Sequence, residues 1–413
     1  MNRRTPAAAP SPPPRTAELL LREAAGALDR IARGVSQLDA ELASGAAAPE
    51  RRRMLRHLLF TFFRRRKYLD ARLAELLRRP TAPRLRRLLE AAATQILFQR
   101  GAAPESVVNV AVELAKREHA AGFVNAVLRR IAAHPAAELP ETPESLFPDA
   151  VLDRWRARFD AGTLAGFAEC WLAEPEFTFR LCAGEGEPEF PSTEVSGFGK
   201  CRFFRAEAAA VLGSEAMKRG GFYIQDPAAS LAPSLVPEPE KIASALDLCA
   251  APGGKALILA ETLSAPGVRL VAADPSEKRQ RLTRENFALR RRPAEIVVGE
   301  PASLSGAFEL VLADVPCTNT GVFRHRPDAL WRFDAETLRR TVARQREILR
   351  EAARLTAPGG ALIYSTCSIE AEENGELLAE FVGENPGFAI EESRLLLPDR
   401  EHDGAFAARL RRR

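Results

Sequence analysis

From Ile242 onward the chain repeats one pattern: a short apolar run, an acid or a thiol where the run ends, then a stretch with helical spacing. The runs close at Asp247, Asp274, near Glu300, at Asp314 and at Ser365, with helical stretches at 256–263, 278–290 and 335–356 between them. A helix between successive strands carries the chain back to the same end of a sheet, so the alternation predicts a parallel, doubly wound sheet. Ligands of such sheets sit beyond the carboxyl ends of the strands. Two stretches are placed there. Leu310–Ala313 runs out into Asp314, Pro316 and Cys317, and Ala361–Tyr364 runs out into Ser365, Thr366 and Cys367.

The cysteines are Cys170, Cys182, Cys201, Cys249, Cys317 and Cys367, with no Cys-x-x-Cys pair, and the five histidines are scattered. No metal site is expected from such spacing. An ordinary cysteine is a small buried hydrophobe. Behind a strand end, preceded by Asp-x-Pro or Ser-Thr, Cys317 and Cys367 read instead as parts of a nucleophile site.

At 413 residues the chain should hold two or three domains. Residues 1–150 carry 25 Lys/Arg against 16 Asp/Glu, a net +9, which leaves −5 of the overall +4 for the remainder. Residues 1–16 are rich in Ala and Pro and read as an unstructured tail. From 17 to 133 the spacing is helical throughout, with Leu55, Leu58, Leu59 and Phe62 on one face and prolines between the runs, so an all-α bundle is predicted. Residues 134–144 read as a linker, and 145–241 as a small α+β segment with strands at Phe177–Leu181 and Gly221–Gln225 and a helix at 206–212. Within 51–100 there are 15 Lys/Arg and three acids, concentrated at Arg51–Arg53, Arg64–Lys67 and Arg84–Arg87, a density that suits a phosphate-binding surface. No apolar run approaches the ~18 residues of a membrane span, and free thiols suit a reducing compartment, so a cytoplasmic protein is expected.

Asp314-Val-Pro-Cys317 with Thr320-Gly321-Val322, and Tyr364-Ser-Thr-Cys367-Ser, resemble motifs IV and VI of the RNA cytosine-5 methyltransferases of the bacterial RsmB type. The helical segment resembles the NusB-like domain attached to them, most clearly over Val107–Arg130. Gln225-Asp226-Pro227 with Ala229 and Ser230 is similar to the family's entry motif, and Gly321–Trp331, with Pro327, Asp328 and Trp331, to another. The chain departs at Arg180-Leu181-Cys182, where the family commonly has Arg-Val-Asn. The resemblance implies three parts: a NusB-like RNA-binding bundle, the α+β lead-in, and from 242 to 413 a Rossmann-like methyltransferase with a mostly parallel seven-stranded sheet closed by an antiparallel hairpin. It also implies RNA as substrate, 16S rRNA foremost; no obligate protein partner is expected.

Asp247–Lys255 lies between a strand and a helix, a turn that lets backbone approach a ligand and aims helix N–H groups at it. It is neither Gly-x-Gly-x-x-Gly nor a P-loop, since Ala256 follows Lys255, which disfavours NAD and ATP. S-adenosylmethionine fits better, because Asp274 at the second strand end can accept from both ribose hydroxyls. The expected cofactor residues are Cys249, Ala250, Ala251, Pro252, Gly253, Gly254, Lys255, Asp274, Asp314 and Glu300, the last standing where the family carries an Asp.

Carbon 5 of cytosine is too weak a nucleophile to take a methyl group unaided, and thiolate addition at carbon 6 activates it. The resemblance gives that addition to Cys367 and the later proton removal or release to Cys317. Asp314 would hydrogen-bond the base at nitrogen 3 and the amino group. Arg324, Arg326, Arg64, Arg65, Arg66 and Lys67 are the candidate RNA contacts. Two alternatives remain: a DNA cytosine-5 methyltransferase, with Cys317 as nucleophile, and a non-catalytic NusB-type RNA-binding factor.

Overall fold

The computed structural model describes residues 14–43, 48–99, 101–134, 139 and 141–413. Most of the expected tail, 1–13, and linker residues 135–138 and 140 lie outside them. The chain divides into two compact units. One comprises the residues up to Leu172 with Arg326–Trp331, the other Ala173–His325 with Arg332–Arg413. No helix among the described residues is long and apolar enough to cross a membrane.

The first unit is helical. Pro49, Pro83 and Pro104 each open a helix (Pro49–Leu76, Pro83–Phe98 and Pro104–Ala115), where the missing N–H has no partner to lose. Their inward faces, together with helices Pro14–Ala32 and Ala121–Ala133, bury Leu20, Leu58, Leu59, Leu89, Val124 and Leu128 completely. Each such side chain is worth about 1.5–3 kcal/mol of burial. Helices Asp149–Arg156 and Ala161–Leu172 fall within the stretch from 145 that the sequence assigns to the lead-in, and they belong to this unit. Trp171 Nε1 donates to the Arg64 carbonyl at 2.9 Å, and Phe147 meets Trp155 and Trp171 edge to face at 5.3 and 5.5 Å.

The second unit contains both sheets. Strands β1 (Thr178–Leu181), β2 (Ser192–Val195), β3 (Phe203–Ala206) and β4 (Phe222–Ile224) form an antiparallel sheet in the order β2-β3-β1-β4. The predicted helix appears at Ala208–Gly213. Phe179, Phe204 and Phe222 close the sheet's apolar face. On β1, Arg180 is buried and hydrogen-bonds Glu261, and Cys182 just beyond is buried too, so this position faces the interior.

The larger sheet comprises β5 (Ser244–Asp247), β6 (Arg269–Asp274), β7 (Glu295–Val298), β8 (Phe308–Asp314), β9 (Thr356–Thr366), β10 (Phe388–Leu396) and β11 (Ala405–Arg412), in the order β10-β11-β9-β8-β5-β6-β7. β5 to β9 are parallel, and β10 and β11 form the antiparallel hairpin expected at the end of the chain. β9 already starts at Thr356, the last residue of the stretch with helical spacing. Chain order runs from β5 through β6 to β7 on one side, then resumes at β8 on the other. That reversal is the switch point where open α/β sheets bind ligands.

Candidate active site

At the switch point the loop after β5 turns tightly into the helix Gly254–Thr262. Gly253 has φ 102°, a left-handed backbone that a side chain would strain. A Cβ on Gly254 would lie 2.8 Å from Gln225 Nε2 and 3.1 Å from Tyr223. Asp247, at the end of β5, is fully buried, and neither carboxylate oxygen has a hydrogen-bond partner. Burial, then the nearby Asp314 charge, pushes its carboxyl up to about 8, with the Lys255 charge offsetting this only in part. Cys249 follows the same logic, its thiol raised by burial and by Asp247.

Lys255 Nζ lies 2.7 Å from Asp314 Oδ2, and Ser365 Oγ donates to Asp314 Oδ1 at 2.6 Å. Burial works against the Lys255 ammonium, but Asp314 beside it outweighs that and raises its pKa. Asp274 is buried. One of its oxygens accepts the Ser276 N–H at 2.9 Å, and the other stands 3.5 Å from Arg279. Ser276 caps the following helix. Glu300 is exposed and pairs with Arg344 at 2.7 Å. An unpartnered buried carboxyl, a glycine approached too closely for a side chain and an acid ending the second strand fit a polar cofactor with a diol and an amino group.

The thiols after β8 and β9 converge. Cys317 Sγ and Cys367 Sγ are 3.0 Å apart, and Cys367 donates to Asn319 Oδ1 at 3.2 Å. Asn319 sits at φ 61°, where its side chain can return to the Cys317 carbonyl at 2.9 Å. The hydrogen bond to Cys367, then burial, raises the Cys317 thiol well above the ordinary range. A cavity of about 90 Å³ opens beside them, bounded by Cys367, Thr366, Lys255, Asp226, Asp403 and Phe406. Cys367 lines it and Cys317 does not.

Several candidate RNA contacts are engaged elsewhere. Arg324 is buried, donating to the carbonyls of Asp399 and Arg400 at 3.2 and 2.7 Å and to Asp226 at 3.3 Å. In the helical unit Arg64 is buried against Phe60, Arg65 pairs with Glu141 at 2.7 Å, and Lys67 with Asp149 at 2.5 Å. Arg66 pairs with Asp70 at 3.3 Å and stacks on Trp331, and Arg326 pairs with Asp39 at 2.6 Å. A helix face inferred from spacing is not necessarily a solvent face, and the run 64–67 is spent on packing and ion pairs. Arg53, Arg78, Arg79 and Arg84 of the dense region are exposed. Asp226, His325 and Asp403 bring donor atoms within 4.8 Å of one another, but Arg324 lies against both acids and supplies the positive charge there.

Sequence reasoning does not single out Asp247, Asn319 and Glu373 as site residues. Asp247 carries the same strand-end signal as Asp274 and Asp314. Asn319 and Glu373 carry no local signal for a site, because the contacts that bring them there, Asn319 to Cys367 and Glu373 to Thr318, span about 50 residues.

Comparison with known proteins agrees with this geometry. Residues 233–411 match the family model described as 16S rRNA methyltransferase RsmB/F, and residues 22–133 match that of the NusB family. The chain is 30% identical over 353 residues to the ribosomal RNA small subunit methyltransferase B of Pasteurella multocida, covering 77% of this chain and 78% of that one. It is 31% identical over 400 residues to the protein of the same name from Xylella fastidiosa, covering 87% and 91%. Among solved structures, PH0851 has the same fold, with a TM-score of 0.78 at 21% identity over 98% of this chain and 100% of that one. The chain therefore belongs to the RsmB/F family of 16S rRNA methyltransferases and carries the NusB-family domain in its N-terminal part.

Proposed function

We propose that the protein methylates carbon 5 of a cytosine in 16S rRNA, with S-adenosylmethionine as donor and Cys367 as the attacking thiol. The observation that carries this reading is the thiol pair at 3.0 Å with Cys367 alone of the two lining the cavity, beside Lys255. Residues 242–413 would be the catalytic part and 17–133 the RNA-binding module, with Arg53, Arg78, Arg79 and Arg84 as its phosphate contacts. An rRNA substrate places the protein in the cytoplasm.

S-adenosylmethionine, when bound, supplies an electrophilic methyl group. The loop 249–254 and Lys255 would hold its methionine end, with Asp247 accepting from the amino group, and Asp274 would hold the ribose diol. Cys367, its proton passed to solvent, adds to carbon 6: a sulfur–carbon bond forms, and the electron pair of the ring's 5,6 double bond shifts to carbon 5, which can then take the methyl group while the donor sulfur keeps the electron pair of the bond that breaks. Lys255 and Ser365 fix the Asp314 carboxylate so that it can accept from the base's amino group as charge moves into the ring.

The thiol pair divides its labour by environment. Cys317 is the sulfur that keeps its proton, because it is buried and hydrogen-bonded to Cys367. Once Cys367 is bonded to carbon it no longer holds the Cys317 proton by a hydrogen bond, and Cys317 can release that proton to solvent. Its thiolate then takes the carbon 5 proton, the double bond reforms, and the sulfur–carbon 6 bond breaks with its electron pair returning to Cys367.

Separating the two thiols tests the reading. With labelled rRNA on a denaturing gel, Cys367→Ser should form no covalent adduct, since an alcohol is a far poorer nucleophile. Cys317→Ser should accumulate protein-linked RNA when S-adenosylmethionine is present. The reverse pattern would return the nucleophile to Cys317, as in the DNA-type mechanism.

A further inference from the structure

Close to the two thiols lies a carboxylate that this chemistry does not consume. Glu373 is fully buried. Its Oε1 accepts the Thr318 N–H and Gln345 Nε2, both at 2.9 Å, and its Oε2 accepts the hydroxyls of Thr318 and Ser368. Thr318 follows Cys317 and Ser368 follows Cys367 in the chain. One carboxylate thus bonds to the residue after each thiol. Gln345 also donates to the carbonyl of Pro316, the residue before Cys317, at 2.9 Å. Thr320 Oγ1 meets Ser368 Oγ at 3.0 Å, and Asn374 ties Thr366 and Ser368 at 2.6 and 2.9 Å.

A carboxylate in a dry interior is tolerated only when donors satisfy it, and apolar residues of equal volume often stabilise a core as well or better. Stability alone is therefore a weak reason for Glu373. Geometry is a stronger one, because the thiols hang from loops after different strands, and nothing covalent sets the spacing between them. A drift of about 1 Å between those loops would break the sulfur contact, which already stands at 3.0 Å.

We infer that Glu373 is a positioning residue for methyl transfer: its carboxylate clamps the Cys317 and Cys367 loops together so that the two thiols act as a unit. The inference rests on the two-thiol reading above, so its test needs a readout independent of methylation. Diamide provides one. Two S–H bonds break, a disulfide between Cys317 and Cys367 forms, and the two protons and two electrons reduce the azo group to a hydrazine. The sulfurs close from 3.0 Å to about 2.05 Å. Glu373→Gln keeps an oxygen for the two obligate N–H donors and turns its amide toward hydroxyls, which can accept as well as donate. Glu373→Ala removes the shared acceptor from all four donors.

In the full chain, the Cys317–Cys367 disulfide, followed by peptide mapping, should form at least tenfold more slowly in Glu373→Ala than in wild type. Glu373→Gln should stay within about threefold of wild type. In Glu373→Ala, kcat should fall at least tenfold while S-adenosylmethionine affinity changes less than threefold. Wild-type cross-linking rates in Glu373→Ala, or equal losses of kcat and cofactor affinity, would overturn the clamp. If Glu373→Ala does not fold, Gln345→Leu, which removes one donor and keeps the carboxylate, should slow cross-linking severalfold, and an unchanged rate would again overturn it. If Cys317→Ser accumulates no RNA adduct while the cross-linking rates behave as described, the proposed reaction fails and the clamp stands.

Discussion

Asp247→Asn should make the protein more stable above neutral pH and weaker at binding its cofactor. The folded chain holds the Asp247 carboxyl protonated up to about 8, whereas the ordinary value is 3.8. An acid raised on folding costs stability as pH rises, because the unfolded chain releases a proton that the folded chain retains. The loss begins near 3.8 and is complete by about 8. At 1.36 kcal/mol per tenfold, the interval of about 4.2 corresponds to roughly 6 kcal/mol. Asparagine escapes this cost but buries an amide that lacks partners here, at about 2–3 kcal/mol. The net gain at pH 8 is then about 3 kcal/mol, or about 6–12 °C in Tm for a unit of this size. Below pH 5 the gain should vanish and the variant should be the less stable of the two. Thermal melts followed by circular dichroism from pH 4.5 to 8.5 would show the curves crossing. A Tm difference that does not change with pH, or an Asn variant less stable at pH 8, would refute the reasoning. Calorimetric titration should show weaker S-adenosylmethionine binding, since the carboxylate's place is to accept from the ligand.

Asp274→Ala should weaken S-adenosylmethionine binding by roughly 1.5–3 kcal/mol through loss of charge-assisted hydrogen bonds, measurable by the same titration. Gly254→Ala, whose Cβ meets Gln225 and Tyr223 at 2.8 and 3.1 Å, should lower cofactor affinity by about 1–2 kcal/mol with a smaller effect on Tm. The bases of the helical unit should divide by burial. Replacing exposed Arg78, Arg79 and Arg84 by Gln should flatten the salt dependence of rRNA binding, by about 0.7 in slope for each phosphate that the protein no longer neutralises. Arg64→Gln should leave that slope unchanged and lower Tm instead, because Arg64 is buried against Phe60.

Periodicity alone determined the all-α N-terminal part and the doubly wound sheet, because each depends on residues a few positions apart. Strand-end position put Asp274, Asp314, Cys317 and Cys367 at one edge, since a parallel sheet carries every strand's carboxyl end there. Those readings needed no partner to be known. Tertiary structure decided what depends on residues far apart in the chain. It turned Arg64 and Arg324 inward, drew Glu300 to Arg344, and set helix Ala161–Leu172 in the helical unit. It also placed the two sulfurs 3.0 Å apart across 50 residues of chain, with Glu373 bonded beside both. A strand-end rule gives a residue its address on the sheet, but hydrogen-bond distance requires the loops themselves to be packed, and that packing is settled by side chains that no local pattern links.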